Sequence, residues 1–221
     1  MHKRWTRLFG STLQASGAIG GFRRQALLDI RGWDQELAED TDISLRMVKA
    51  GWKTTFAPGA VAHTEAPTSM RVLIKQRTRW DRGGFRTYFF KHHRVMLNPS
   101  VGGWPFALEM WAEFFFFIVM TLFFPVYFTW LLLSGWFAFL FVTITCFTVY
   151  GIISLLMLGP ISMVTRNVTR PRTMLLPALL TPFYKGILRW VRFRALVMEL
   201  FRYRYEDSFL PQSAWTHAPR Y

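Results

Sequence analysis

The chain has 221 residues, 52% of them hydrophobic, and a formal net charge of +14. Such a charge suits nucleic acid, but 17 of the 27 Lys and Arg lie in residues 1–100, none lies in 101–165, and no zinc pattern or nucleic-acid motif accompanies them. The basic residues flank an apolar block, which points to anionic lipid headgroups and a phosphate-bearing ligand and away from nucleic acid. Cys146 is the single cysteine, which excludes an intrachain disulfide and argues against a thiolate metal site.

In chain order, Met1-His2-Lys3-Arg4 opens a basic segment with no apolar core long enough for a signal peptide. A small, Gly-rich stretch follows (Ala15-Ser16-Gly17-Ala18-Ile19-Gly20-Gly21), of the kind that lets a backbone pass close to a ligand. Phe22–Ile30 reads as a short helix stopped by Gly32. Asp42–Lys49 reads as a second helix, with Ile43, Met47 and Val48 on its apolar side and Gly51 just past its end. Lys53–Ala57 and Ala60–His63 read as short strands around a Pro58-Gly59 turn. Thr68 or Ser69 can cap a third helix running through Trp80. Helices alternating with short strands predict an α/β domain over residues 1–100, with too few strands for a whole sheet.

Phe114–Thr165 holds 52 residues without a charge. A bilayer span needs roughly 20 apolar residues, so the block predicts a helical hairpin: Phe114–Leu133, a break at Ser134-Gly135, then Trp136–Leu158. Trp104, Trp111, Trp130 and Trp136 fall near the expected interfaces, and Arg166, Arg170 and Arg172 return to the side of the basic N-terminal region. The hairpin unit is therefore 101–172. Residues 173–221 predict an interfacial or re-entrant helix and a tail, because Lys185, Arg189, Arg192 and Arg194 would each cost about 2.5–3.5 kcal/mol at a bilayer centre.

Several residues can carry chemistry. Asp40 can take a proton from a hydroxyl, although Asp40 or Thr41 can also simply cap the following helix. Glu39 and Asp42 beside it suit either a site or the helix dipole. Gln76, Arg79 and Trp80, spaced i, i+3, i+4, share one helix face. Arg supplies a planar fork for phosphate oxygens and Trp a flat face with an N–H donor. The plainer reading is a cationic solvent face shared with Lys75, Arg77 and Arg82. His63, two residues before Glu65, reads as a structural histidine rather than a metal ligand. Glu109 and Glu113, one turn apart, suit headgroup level or a polar path.

Gly17-Ala18-Ile19-Gly20-Gly21-Phe22-Arg23-Arg24-x-Ala26-Leu27, Gly32-Trp33, Glu39-Asp40-x-Asp42 and Gln76-x-x-Arg79-Trp80 together resemble the processive family 2 inverting glycosyltransferases, the group of poly-N-acetylglucosamine, chitooligosaccharide, hyaluronan and cellulose synthases. Residues 14–90 carry the resemblance closely, and the membrane block shares its architecture. The resemblance implies a GT-A-like α/β domain, here its C-terminal, acceptor-side part, followed by transmembrane helices and placed at the inner (cytoplasmic) membrane with the catalytic region in the cytoplasm. It implies Asp40 as general base, with Ala38 where the family usually has Thr. It implies Gln76, Arg79 and Trp80, with Glu39 and Asp42, at the donor diphosphate and acceptor end, and Ser16 and Gly17 in the loop lining the acceptor site. A UDP-sugar donor, a polysaccharide acceptor, the lipid bilayer and Mg²⁺ or Mn²⁺ are the implied partners. No Asp-x-Asp precedes residue 40, so the metal and uridine ligands are expected outside this chain, in a missing N-terminal half or another subunit. The alternative is a non-catalytic membrane subunit supporting a partner transferase. The sugar and linkage are not readable from these motifs.

Overall fold

The computed structural model describes residues 15–164 and 175–201, apart from 35, 56, 58, 59 and 99. The basic N-terminal segment, the Pro58-Gly59 turn, the Arg166, Arg170 and Arg172 cluster and the C-terminal tail lie outside the described residues. The chain divides into two compact units, Met1–Met120 with Arg194–Tyr221, and Thr121–Phe193.

In the first unit, α1 (Arg24–Asp29) and α2 (Glu39–Lys49) precede the longer α3 (Met70–Phe85). Both early helices end in Schellman caps. Around α2, the N–H groups of Gly51 and Trp52 reach Val48 O and Met47 O, with Gly51 at φ 81°. Around α1, the N–H groups of Arg31 and Gly32 reach Leu28 O and Leu27 O. Here the left-handed position falls on Arg31, at φ 60°, which costs about 1–2 kcal/mol for a side-chain-bearing residue.

Helix α2 starts three residues earlier than the hydrophobic pattern predicts. Its N-cap is Ala38, which has no side-chain acceptor to offer, so Asp40 lies within the first turn rather than capping it. Ser69 does cap α3, accepting from Val72 N. That helix runs past Trp80 to Phe85 and continues as a π-helical turn, Arg86–Lys91, closed by His92 N to Thr87 O at 3.0 Å. The short α4 (His93–Leu97) and then α5 (Gly103–Phe114) follow.

Two apolar clusters sandwich α2. Ile43 and Met47 pack with Ala26 and Ile30, joined by Phe22, Leu27 and Trp52. Leu45 and Val48 pack with Tyr88, Val95, Phe106 and Met110. A helix buried on two sides has no solvent face wide enough to give a simple amphipathic stripe. A third cluster joins Phe85 to Ala195 and Leu196, where Glu199 accepts from Arg82 Nε and Arg86 Nε at 3.0 Å each.

No strand occurs among the described residues, including 53–55, 57 and 60–63. An extended segment registers as a strand only where a neighbouring strand pairs with its backbone N–H and C=O groups.

Two helical stretches are long and apolar enough to cross a bilayer, Gly103–Leu133 and Trp136–Met157. The first begins 11 residues before the expected Phe114, because the helix carries on through Glu109 and Glu113. It comprises α5, a π-helical turn Phe115–Val119, and α6 (Met120–Leu133), which contains Pro125. Helix α7 (Trp136–Val164) follows Gly135, at φ 98°. Leu175–Leu200 forms one continuous helix, α8, despite Pro182. In the second unit its cations rest on aromatic groups: Arg189 donates to Tyr150 Oη at 3.1 Å, and Lys185 Nζ lies 4.7 Å from the Tyr150 ring centroid.

Candidate active site

Asp40 sits in the first turn of α2 at the edge of a cleft of about 500 Å³, a figure that includes space open to solvent. Ser16, Gly17 and their neighbours to Gly20 form one wall, and Phe22, Trp33, Glu39 and Ile43 complete the lining. Ser44 pins the loop to the helix. Its hydroxyl donates to Asp40 O at 2.6 Å and accepts from Ala15 N at 2.8 Å. Asp40 Oδ1 accepts from Thr41 N at 2.7 Å, whereas Oδ2 points at Gly17, where a β-carbon would lie 3.1 Å away. Gly17 therefore packs directly against the Asp40 carboxylate, a close approach that a β-carbon would disturb.

The structure therefore brings Ser16, Gly17, Glu39 and Asp40 to one cleft. Gln76, Arg79 and Trp80 do not line it; they lie on α3. Gly83 extends their face by one more turn, and a β-carbon there would fall 2.9 Å from Ala38 Cβ. The motif face of α3 is thereby turned toward the N-terminus of α2. Gln76 and Arg79 are partly buried, Trp80 is 45% exposed, and the Arg77 guanidinium covers the Trp80 ring at 4.6 Å.

Asp42 occupies a different environment. Its side chain is 1% exposed and faces cations: Lys91 Nζ at 2.8 Å and His92 Nε2 at 2.7 Å on Oδ1, with Arg46 NH1 3.6 Å from Oδ2. Burial opposes its charge, yet the hydrogen bonds from His92 and Lys91 prevail and hold it below the usual carboxylate range. Lys49 Nζ lies 2.7 Å from His92 Nδ1. An ammonium only donates, so Nδ1 accepts and Nε2–H donates to Asp42. Burial pushes the His92 imidazole below its ordinary value, against the pull of Asp42. Lys91 also holds Asp34 and Glu36, at 2.8 and 3.1 Å, and is held above the ordinary lysine value by these bonds despite its burial. Arg46 donates to the carbonyls of Gly32, at 2.9 Å, and of Ile30.

The positioning groups Ser44, Arg46, Lys91 and His92 carry no motif. The only sequence signal for Lys91 and His92 is a Lys-His-His run downstream of the tryptophan motif. Asp40-Thr41-Asp42 does not fit a divalent ion, since Asp42 is already faced by three basic side chains. No cluster of three His, Cys, Asp or Glu able to hold a metal occurs among the described residues. His63 is exposed. Glu109 and Glu113 are partly buried, and their carboxylates, with that of Asp40, reinforce the effect of burial in raising the Tyr88 hydroxyl above its ordinary value.

These motifs and this cleft agree with a sequence relationship. Residues 1–156 match glycosyl transferase family group 2, and the chain belongs to that family. It is 36% identical over 105 residues to an N-acetylglucosaminyltransferase of Bradyrhizobium diazoefficiens, covering 43% of this chain and 21% of that protein. It is 31% identical over 112 residues to the probable glycosyltransferase YdaM of Bacillus subtilis (48% and 26%). It is 28% identical over 102 residues to a probable glucomannan 4-beta-mannosyltransferase of Oryza sativa (46% and 18%). The matched region thus spans about a fifth to a quarter of these curated relatives. No solved structure matches the chain.

Proposed function

We propose that the chain forms the acceptor side of an inverting glycosyltransferase that moves a sugar from a nucleotide sugar, a UDP-sugar, to a growing polysaccharide at the inner membrane. The observation that carries this reading is Asp40 Oδ2 facing Gly17 in a cleft walled by a glycine-rich loop. The acceptor hydroxyl enters the cleft beside Gly17 and gives its proton to Asp40. Its oxygen bonds to the anomeric carbon as the bond to the diphosphate breaks, and attack from the opposite face inverts the configuration. Arg79 offers its guanidinium fork to the departing diphosphate, with Gln76 and Trp80 beside it. Asp42 acts through its ion pairs in fixing α2 rather than by touching substrate. The GT-A-like α/β class and the divalent ion, Mg²⁺ or Mn²⁺ on ligands other than these, remain part of the proposal.

The two apolar helices are placed across the bilayer, with residues 1–100 cytoplasmic and Ser134-Gly135 outside. Only 11% and 6% of their most apolar windows are buried in protein, as lipid-facing helices require. The partly buried Glu109 and Glu113, near Tyr88, supply a polar route by which the product leaves Asp40 toward the membrane.

The test is sugar incorporation by membranes of the producing organism. With a panel of radiolabelled UDP-sugars, UDP-N-acetylglucosamine first because several relatives bear that name, incorporation should fall on deletion of the gene and return on complementation. Unchanged incorporation across the panel overturns the reading.

A further inference from the structure

We infer that Lys185 and Arg189 of α8 form a site for the phosphate of one anionic phospholipid. The inference is independent of the transfer chemistry and rests only on the bilayer placement of the apolar helices. Thr121–Phe193 contains six Lys and Arg and no Asp or Glu. The unit therefore has no acidic side chain of its own to neutralise these cations. Lys185 and Arg189 stand one turn apart on α8, a spacing at which like charges repel. They nevertheless converge on one residue of α7. Arg189 NH2 donates to Tyr150 Oη at 3.1 Å, and Lys185 Nζ stands 4.7 Å from the centre of the same ring. Tyr150 occupies a single N–H of the five that a guanidinium carries. Both cations are exposed, and a β-carbon at Gly186, between them in sequence, would meet nothing within 4 Å. Two cations gathered on one ring, with open space beside them and no acid in the unit, make a site for an anion.

The apolar surroundings select a lipid over a free anion. Leu176, Leu180, Phe183, Ile187 and Trp190 recur at three- and four-residue steps along α8, and all are exposed. Phe183 and Trp190 anchor this stripe on Phe147 and Phe124 of the hairpin, with ring centroids 4.3 and 5.1 Å apart. The Arg189 guanidinium lies 5.6 Å from the same Phe124 ring. One helix thus carries exposed apolar surface for acyl chains and a paired cation for the phosphate, the combination that holds a helix in a lipid interface.

Lipid titration of the detergent-solubilised full chain, read by native mass spectrometry, is the test. The probes are phosphatidylglycerol, phosphatidylcholine of the same chain length, and inorganic phosphate. The wild type should bind phosphatidylglycerol more tightly than phosphatidylcholine, and inorganic phosphate should not displace it. Lys185→Gln with Arg189→Gln should weaken phosphatidylglycerol about thirtyfold, the effect of two basic side chains at an anionic lipid, and leave phosphatidylcholine unchanged. Arg71→Gln with Lys75→Gln removes an exposed cation pair of the same spacing from α3 and should have no effect. If the α8 double variant does not fold, Tyr150→Phe decides, since it drops only the hydroxyl that orients Arg189 and must also weaken binding. Alkaline carbonate extraction of membranes tests the bilayer placement separately: the wild type and the α8 variant should both stay in the pellet, and release of the wild type overturns that placement and the inference with it. Equal affinity for the two lipids, undiminished binding by the α8 double variant or Tyr150→Phe, an equal loss in the α3 variant, or displacement by inorganic phosphate overturns the inference alone.

Discussion

Gly17 is the residue whose size the proposed chemistry constrains most tightly. It has no positive φ, so an L side chain meets no backbone strain there. The added β-carbon would stand 3.1 Å from Asp40 Oδ2 and 3.7 Å from its Cγ. The first distance is below ordinary contact, so the carboxylate or the loop must give by a few tenths of an ångström. A misplacement of about 1 Å can cost about 10²-fold in rate, so a shift of this size predicts roughly a tenfold loss for Gly17→Ala. Gly17→Val covers the same oxygen and should approach the 10²–10⁴-fold loss typical of a missing general base. Gly21→Ala is the internal control, because nothing lies within 4 Å of its β-carbon. Initial rates of labelled-sugar incorporation by membranes, normalised to chain content by immunoblot, read all three. Gly17→Val working at the rate of Gly21→Ala would refute a role for the Gly17–Asp40 contact in transfer.

Other expectations follow from the same contacts. Arg79→Lys keeps the charge but not the fork, and should cost about tenfold or more, the size of one lost charge-assisted hydrogen bond of about 1.5–3 kcal/mol; donor titrations that leave the rate and KM unchanged would remove Arg79 from the diphosphate. Glu199→Ala removes the buried carboxylate that Arg82 Nε and Arg86 Nε share at 3.0 Å each, and should destabilise the first unit by about 1.5–3 kcal/mol; an unshifted thermal melt would contradict this. His92 has a folded pKa below its ordinary 6.5, so below that value the unfolded chain binds a proton that the folded chain resists. Stability should therefore fall as pH drops through 6.5 toward the folded value, and His92→Gln should flatten that part of a melting-temperature profile. A slope retained in the variant would assign the acid sensitivity elsewhere.

Local signals were legible. The stop at Gly51, the Ser69 cap and the break at Ser134-Gly135 each depend on one or two residues, and the helices end or begin there. The start of α2 was not legible, because Ala38 gives no capping signal; the helix is held instead by burial on two sides and by Gly83 packed against that cap. Asp42 shows the same limit at the site. In sequence it stands beside Asp40 with the same chemistry, and only the contacts of Lys91 and His92, some 50 residues on, turn it into a buried ion-pair partner. Ser44 and Arg46 work through backbone carbonyls and an N–H that no side-chain motif advertises. The predicted strands at 53–57 and 60–63 depended on pairing, which their own residues cannot specify.

The central claim is that Asp40 is the base. Asp40→Asn keeps shape and removes basicity, so the most direct measurement is steady-state transfer by membranes carrying this substitution at the chromosomal locus, alongside donor binding to the same membranes. The account predicts transfer reduced by about 10²–10⁴-fold with donor affinity nearly unchanged. Transfer above a tenth of wild type would contradict it, leaving Asp40 a helix-terminus residue and the chain a non-catalytic support for a partner transferase.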